Sequence, residues 1–383
     1  MFKGKINYII IFVLVFLIYL LTSAGNTPYN YFIRLADAFI HGRYWLTENP
    51  PWLSELIPAG LNKYYVVYPP MPAILSIPFV FLFGKNLPQQ YIAHLLGAGL
   101  VILTIALSWK IKRDKMLALW SGILIGLGSI IWFLSSVGSA WYMGQISAAF
   151  FLTAAIYESL SKKRALLIGI FLGVAYLSRI QLVLTLPFFL YQIKGKCLNE
   201  YLKFILGVTP FVIFNAVYNY LRFGVPWDKA YYLIPGLLNE PWFSKGLFNI
   251  SYIPNNLKVI FLSLPIFKKE FPYIQPSWEG LAIWITTPAF IYSIYASIKE
   301  RIVLLSWFTI LLISLVIFSH GTTGFAQFGY RFAVDFYPFL MLLTIKGVAK
   351  TGLKWQHWLL LIIGVVVNLW GILWINKFGW VSY

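Results

Sequence analysis

Five arginines are placed where they could bind an anionic lipid head group. Three stand at the outer ends of apolar runs and two on a short predicted surface helix, where the bias of Lys and Arg toward the cytoplasm does not account for them. A guanidinium binds phosphate through two parallel hydrogen bonds and stays charged at any relevant pH. Snorkelling to ordinary phospholipid would explain one such residue, but five together favour a dedicated lipid-phosphate site. They are Arg34, Arg43, Arg179, Arg222 and Arg331.

The 12 acidic residues are few enough to sort by position. Almost none lies in the middle of an apolar run, which counts against a proton- or sodium-driven carrier, because such carriers usually need an intramembrane carboxylate. Arg331 and Asp335 stand four apart, so either they form a helical ion pair or Asp335 holds Arg331 while it binds phosphate. The carboxylates predicted outside are Asp37, Glu48, Glu55, Asp228, Glu240, Glu270, Glu279 and Asp335.

The composition is that of a polytopic membrane protein. Of the 383 residues, 60% are hydrophobic and 11% charged, whereas soluble domains carry about 25% charged residues. Many apolar runs reach 15 residues or more, which excludes a soluble enzyme and a disordered chain. The net charge of +18 is better explained by basic cytoplasmic loops than by nucleic-acid binding. The one cysteine, Cys197, excludes an intrachain disulfide, and the histidines share no metal-ligand spacing.

Basic clusters between the apolar runs predict the topology. Lys3 and Lys5 precede the first run, and further clusters occupy residues 110–115, 162–164, 194–203, 299–301 and 346–354, so all are assigned to the cytoplasm. Residues 71–84 and 257–267 are then too short and too proline-broken to cross. The sequence predicts one all-α transmembrane domain over residues 1–383, with about eleven spans, the N-terminus inside and two large outer segments, residues 24–87 and 221–280.

The first outer segment begins with a predicted amphipathic helix. Thr27 is a suitable N-cap, Pro28 suits the first helical position, and Gly42 follows the end. Four polar residues between them recur at spacings of four, three and four, which places them on one stripe. We expect the helix to lie on the outer leaflet, with the stripe facing either solvent or a cavity that holds a polar ligand. The stripe consists of Asn30, Arg34, Asp37 and His41.

Several short motifs occur in a fixed order along most of the chain. They are YFIRLADAFIHGR (residues 31–43), SEL (54–56), NKYYVVYPPMPA (62–73), YNYLRFGVP (218–226) and QFGYRFAVDFYPF (327–339). Together they resemble the integral-membrane glycosyltransferases of the GT-C fold, which include the protein mannosyltransferases and the lipid A aminoarabinose transferases. The nearer resemblance is to uncharacterised prokaryotic members that carry the Tyr-Pro-Pro and Phe-Gly-Tyr-Arg motifs.

The resemblance implies an inverting hexosyl or pentosyl transferase of a prokaryotic cytoplasmic membrane. Its donor would be a polyprenyl-phosphate sugar, the transfer would occur at the outer face, and the acceptor would be an unidentified glycan, lipid or protein. Juxtamembrane helices are implied in the first outer segment, and the motifs add Lys63, Tyr330 and Asp335 to the arginines as binding residues. Carboxylates suit Mg or Mn, although no spacing here requires a metal.

The position of the essential carboxylate departs from the family pattern. Relatives carry an acidic residue just after the first span, where this chain has Asn26. A positioned carboxylate is needed to take the proton of an acceptor hydroxyl. Glu55 and Asp37 are equal candidates for that role, and Glu48 is the third.

Two other functions fit the same residues. A lipid or lipid-linked-sugar transporter would bind the phosphate head group with the same arginines and would need no base. A scaffold that kept the fold and lost its base is also consistent with Asn26. Substitution of Glu55 and Asp37 separates the transferase from the transporter, which should tolerate the loss of a carboxylate that contacts only an acceptor.

Overall fold

The computed structural model describes residues 6–195 and 197–382. Lys3, Lys5 and Lys196, which contributed to the predicted basic clusters, lie outside the described residues. Helices account for most of the described chain, and its strands form two short antiparallel hairpins. The predicted all-α class is therefore confirmed at this level.

The first half of the chain contains the first hairpin and the α-helices that precede residue 180. Strand β1 pairs with β2 from Leu56 opposite Val66 to Pro58 opposite Tyr64. The elements are α1 (Tyr8–Leu21), α2 (Tyr31–Ile40), β1 (Leu56–Pro58), β2 (Tyr64–Val66), α3 (Met71–Phe83), α4 (Gln90–Ile111), α5 (Lys115–Gly126), α6 (Ile131–Val137), α7 (Ala140–Leu160) and α8 (Ala165–Ser178).

The second half contains longer irregular connections. Short 3₁₀ segments interrupt it, among them Ile180–Thr185, Pro288–Tyr295 and Arg331–Asp335, and a π-helix spans Ile372–Lys377. The remaining elements are α9 (Leu186–Gln192), α10 (Leu198–Phe223), α11 (Ile253–Leu262), β3 (Ile266–Phe267), β4 (Ile274–Gln275), α12 (Ile283–Thr286), α13 (Arg301–Phe318), α14 (Tyr337–Thr351) and α15 (Trp355–Gly371).

Four helices of the described chain are long and apolar enough to cross a membrane. They are Gln90–Ile111, Leu198–Phe223, Arg301–Phe318 and Trp355–Lys377; the pair α5 and α6, bent by 52°, would make a fifth. The expected count of about eleven is not confirmed, because several apolar segments form helices of only 10–17 residues. Helix α3 is one of these, as its length and its internal Pro78 led us to expect.

Helix α2 differs from its prediction in two respects. It begins at Tyr31, with Asn30 as N-cap, because residues 27–29 form a turn in which the Thr27 hydroxyl accepts a hydrogen bond from the Tyr29 amide (3.3 Å). Its apolar face, which the sequence assigned to lipid, is covered by protein: Ile33 and Leu35 are fully buried in a cluster that includes residues of α3 and the β1–β2 hairpin. The interior of residues 24–87 therefore combines their own apolar residues with residues of α4 and α7 and with Ala230 and Ile234.

Helices α8 and α10 approach closely at two glycines. A methyl group on Gly169 would overlap the Phe204 carbonyl, and one on Gly207 would overlap the Leu166 carbonyl. Glycine therefore lets the two backbones touch, as small residues do in membrane helix packing.

We predict that Gly169→Ala lowers the apparent melting temperature by about 3 °C or more, since the overlap outweighs the higher helix propensity of alanine. Gly144→Ala is the matched control, because its methyl group would make only ordinary contacts, the nearest 3.9 Å from the Ser178 carbonyl. Thermal unfolding of detergent-solubilised protein measures both. Equal melting temperatures for the two variants would contradict the close approach.

Candidate active site

A cavity of about 1250 Å³ lies where the two main hydrophobic clusters meet. Phe32 and Tyr68 belong to the cluster under α2, whereas Tyr142 and Phe332 belong to the larger cluster of the helical bundle, and all four line the cavity. The volume exceeds the 300–1,000 Å³ typical of small-molecule sites. Its walls come from residues 24–29, 54–55, 139–144, 178–184, 228–248, 316–332 and 375–376, among others. Both segments that the sequence predicts outside, residues 24–87 and 221–280, contribute to it.

Glu55 is held at the cavity wall by groups from three elements. Its amide donates to the Tyr31 hydroxyl of α2 (3.0 Å). Its carboxylate oxygen Oε2 accepts hydrogen bonds from the Tyr68 hydroxyl, just after β2, and from the Trp141 indole of α7 (3.1 Å). Within the described ranges Glu55 forms no ion pair. These bonds fix Oε2, and no hydrogen bond joins Oε1 to any described residue.

Burial raises the pKa of the Glu55 carboxyl to about 7. The Trp141 hydrogen bond and the positive charge of Arg331 oppose the rise, and the negative charge of Glu240 adds to it. The residue keeps some exposed surface and lines the cavity. A carboxyl with a pKa near 7 is matched to proton abstraction at neutral pH.

Arg331 is a buried cation without a counter-ion among residues 6–195 and 197–382. It opens the 3₁₀ segment Arg331–Asp335, where Gln145 donates to its carbonyl (2.9 Å) and Gln327 accepts from its amide (3.1 Å). Its guanidinium lies 4.9 Å from the Phe332 ring, and its Nε has no hydrogen-bond partner. No carboxylate of the described chain pairs with it, and burial lowers its pKa. Leaving a buried charge unpaired is costly, so the arrangement is suited to an anionic ligand.

Asp335 binds Arg179 rather than Arg331, which corrects both sequence-based interpretations of the 331–335 pair. Arg179 donates from Nε (3.1 Å) and Nη2 (2.8 Å) to the two oxygens of Asp335, and Gln181 adds a third bond (2.6 Å). The expected helical spacing fails because the segment is a 3₁₀-helix, in which residues i and i+3, not i and i+4, share a face. Arg179 thus lines the cavity with its charge already balanced, and Arg331 lines it with its charge free.

His320 is a cavity residue that the sequence analysis did not select. Its Nδ1 lies 3.2 Å from both the amide nitrogen and the carbonyl oxygen of Thr322, so Thr322 holds the ring whichever ring nitrogen carries the proton. Burial lowers its pKa to about 4, and the nearby arginines act in the same direction. At neutral pH the ring is an uncharged hydrogen-bond donor. In the sequence, only the spacing of His320 and Thr322, two residues apart, could have indicated that this histidine is held in place.

The polar stripe of α2 does not line the cavity. Arg34 binds Asn30 (2.8 Å) and Glu48 (2.8 Å), and Asp37 lies 3.7 Å from the His41 ring. These groups sit on the side of α2 opposite Phe32, which does line the cavity. The structure therefore brings Glu55 to the cavity and leaves Asp37 and Arg34 outside it.

Four more predicted binding residues also lie outside the cavity lining. Arg222 is buried; its Nη1 and Nη2 donate to the Val66 carbonyl (2.7 Å) and to Asn219 (2.7 Å), whereas its Nε has no hydrogen-bond partner among the described residues. Lys63 is exposed, 4.8 Å from the Trp45 ring. The buried Tyr330 donates its hydroxyl proton to Asn256 (2.7 Å). Arg43 lies beyond the C-terminal end of α2, where its amide bonds to the Ala38 carbonyl (2.8 Å).

Asn26 lines the cavity, at the position where the resemblance expected an acidic residue. Its side-chain oxygen accepts a hydrogen bond from Gln90 of α4 (3.2 Å). An amide oxygen accepts but does not take up a proton at neutral pH, so Asn26 cannot serve as a base. Residues 6–195 and 197–382 contain no group of three or more His, Cys, Asp or Glu side chains placed to hold a metal ion.

We predict that the raised pKa of Glu55 appears in the pH dependence of stability. Folding favours the protonated carboxyl, so stability present at low pH is lost as the pH rises from the unfolded-state value of about 4.5 to about 7. Glu55→Gln removes this titration. The apparent melting temperature of the wild type should therefore fall relative to that of Glu55→Gln between pH 5 and pH 8, and parallel profiles would contradict a raised pKa.

Comparison with solved structures identifies the fold. ArnT from Cupriavidus metallidurans bound to undecaprenyl phosphate superposes with a TM-score of 0.53 at 13% identity, over 94% of this chain and 63% of that one. The apo state of the same protein gives 0.52 at 14% identity, over 98% of this chain and 66% of that one. This chain thus spans less than two thirds of the length of both structures. No family model matches the sequence, and no curated protein matches it. At these identities the likeness concerns the fold alone, and the GT-C fold expected from the motifs is confirmed.

Proposed function

We propose that the protein is a membrane glycosyltransferase that moves a sugar from a polyprenyl-phosphate-linked donor to an acceptor hydroxyl. The observation that carries this proposal is one cavity faced by both a carboxylate with a pKa near 7, Glu55, and an uncompensated buried cation, Arg331. A base and an anion site in one cavity are what transfer from a lipid phosphate requires. The undecaprenyl phosphate bound to ArnT, which shares the fold, supports the choice of donor.

Glu55 acts as the general base in this mechanism. Its carboxylate takes the proton of the acceptor hydroxyl while that oxygen forms a bond to the anomeric carbon. The bond between the anomeric carbon and the phosphate oxygen breaks, and its electron pair leaves with the phosphate. A single displacement of this kind inverts the anomeric centre. The hydrogen bonds from Tyr68 and Trp141 orient the carboxylate for the transfer.

Arg331 stabilises the departing phosphate. The leaving group gains negative charge as the bond breaks, and a fixed cation in a water-poor site lowers the energy of that state. Arg179 contributes from the same wall, since its Nη1 is not used by Asp335. Asp335 then positions Arg179 without contacting the substrate. The neutral His320 lines the same cavity as an additional hydrogen-bonding group.

Apolar residues in the wall suit the prenyl chain of the donor. Val183 and Leu184 of the 3₁₀ segment Ile180–Thr185 line the cavity beside Val316 and Ile317 at the end of α13. Val183 is 41% exposed although it is aliphatic. Burial of the first isoprene units against these residues would place the phosphate toward the two arginines.

The bias of basic residues supports an outer location for this cavity. The residues that line it come mainly from segments 24–87 and 221–280 and from the connection after α13, all predicted outside. We therefore place the two outer segments as the walls of the active site and the single transmembrane domain as its support, in the cytoplasmic membrane of a prokaryote with the N-terminus inside.

The proposal predicts distinct effects for carboxylates inside and outside the cavity. Sugar transfer from a radiolabelled polyprenyl-phosphate hexose, measured in proteoliposomes, should fall by about 10²- to 10⁴-fold in Glu55→Gln, because the base is lost. The rate of sugar transfer in Arg331→Leu should fall by about 10²-fold or more, because the cation that stabilises the leaving phosphate is lost. Asp37→Asn tests the other candidate base, and its rate of sugar transfer should stay near that of the wild type. The same is expected of Glu270→Gln, which changes an exposed carboxylate.

The pH dependence of the wild-type reaction gives a further prediction. Its kcat/KM should rise with pH to a plateau above about 7, since the base must be ionised.

Three outcomes would contradict this account. Loss of transfer in Asp37→Asn but not in Glu55→Gln would assign the base to the α2 stripe. Labelled lipid that changes leaflet without being cleaved would identify a transporter. Retention of full transfer in Glu55→Gln would show that the cavity carboxylate is not the base.

A further inference from the structure

We propose that the cavity contains a platform for the face of a sugar ring, formed by Trp242, Trp278 and Phe325 together with the carboxylate of Glu240. All four residues line the cavity. The inference deepens the proposed function, on which its place in the reaction rests, by naming the ligand chemistry of one wall.

The three rings form one connected surface. Trp278 stacks on Phe325 with ring centroids 4.2 Å apart and planes 8° from parallel, and Trp242 meets Phe325 at a steep angle with centroids 4.9 Å apart. Trp278 remains 44% exposed in spite of this stack. An indole left open in a cavity offers a flat apolar face bounded by a polar edge.

Glu240 adds hydrogen-bonding capacity beside the rings. The Trp242 indole donates to its Oε2 (2.6 Å), which holds the carboxylate next to the aromatic surface. Its Oε1 accepts no hydrogen bond from any described residue. The platform therefore combines an apolar face with an unused acceptor at its edge.

Glu279 fixes the geometry of the stack. Its carboxylate accepts from the Thr323 hydroxyl (3.2 Å), and its carbonyl accepts from the Gln327 side chain (2.6 Å). These bonds join the segment that carries Trp278 to the loop that carries Phe325. The platform is thus held in place before any ligand binds, which reduces the entropy lost on binding.

A sugar ring is the ligand that matches this combination. A pyranose has an apolar face of C–H groups that packs on an indole, and equatorial hydroxyls that can donate to a carboxylate. A lipid chain would leave Oε1 of Glu240 without a partner, and a phosphate would be repelled by the carboxylate. Aromatic residues of a membrane-interface belt would point outward to lipid, whereas these rings face the cavity.

The platform adjoins the proposed phosphate site. Phe325 directly follows Gly324 in the chain. Gly324 packs against the Arg331 side chain: a methyl group added to this glycine would lie 3.2 Å from Nε of Arg331. A ring on the platform is therefore either the sugar attached to the bound phosphate or the ring of an acceptor glycan that approaches it. Both sources have the same chemistry, and the experiment below separates them.

Saturation-transfer difference NMR tests the platform without lipid. The protein in nanodiscs is titrated with methyl α-D-mannopyranoside, methyl β-D-glucopyranoside and methyl β-D-galactopyranoside. We expect saturation of the ring C–H protons of at least one glycoside, reduced about fivefold or more in Trp278→Ala and largely kept in Trp278→Phe. Trp284→Ala is the matched control: Trp284 is 45% exposed and packs on Phe261 (5.4 Å), but it does not line the cavity.

Competition then identifies the source of the ring. Displacement of the glycoside by undecaprenyl-phosphate glucose, but not by undecaprenyl phosphate, assigns the platform to the donor sugar. Binding of both ligands together assigns it to the acceptor. Absence of saturation transfer from all three glycosides in the wild type, or equal transfer in Trp278→Ala, would overturn the inference. Glycoside binding without any sugar transfer would instead reject the proposed glycosyltransferase function and still support the sugar platform. Failure of the platform and failure of the proposed function are therefore distinguishable.

Discussion

The uncompensated charge of Arg331 is the constraint on which the account of this protein depends. A guanidinium that is 9% exposed and has no counter-ion among the described residues destabilises the fold. The surrounding structure holds it there nonetheless, with Gln145 and Gln327 bound to its backbone and Phe332 beside its side chain. Retaining such a charge is reasonable where a ligand supplies the missing anion, as at a phosphate site in a cavity.

The other polar groups of the cavity form a consistent arrangement around that charge. Arg179 is neutralised by Asp335, so one wall holds a rigid, balanced pair beside a free cation. In the same cavity, Glu55 is held by Tyr68 and Trp141 and has its pKa raised toward 7. A base poised near neutral pH and a fixed cation have complementary tasks when a proton is removed at one end of a reacting system and negative charge develops at the other.

The sequence predicted the class and the fold of the protein but not the pairing of its charges. Composition and ordered motifs were sufficient for an all-helical membrane protein of GT-C fold. Glu55 and Asp37 could not be ranked, since the direction in which the α2 stripe faces is set by packing against α3 and not by local periodicity. The partner of Asp335, Arg179, lies 156 residues away in the chain, and no local rule predicts such a contact. The Trp242, Trp278 and Phe325 surface was missed for the same reason.

A structure of the protein with undecaprenyl phosphate, determined by cryo-electron microscopy in nanodiscs, tests the central claim most directly. The account predicts phosphate oxygens within hydrogen-bond distance of the Arg331 guanidinium, the prenyl chain against Val183 and Leu184, and the Arg179–Asp335 pair unchanged. It would be contradicted by a phosphate bound outside the cavity, or by an Arg331 side chain that turns to form an ion pair with a carboxylate of the protein while the lipid is bound elsewhere.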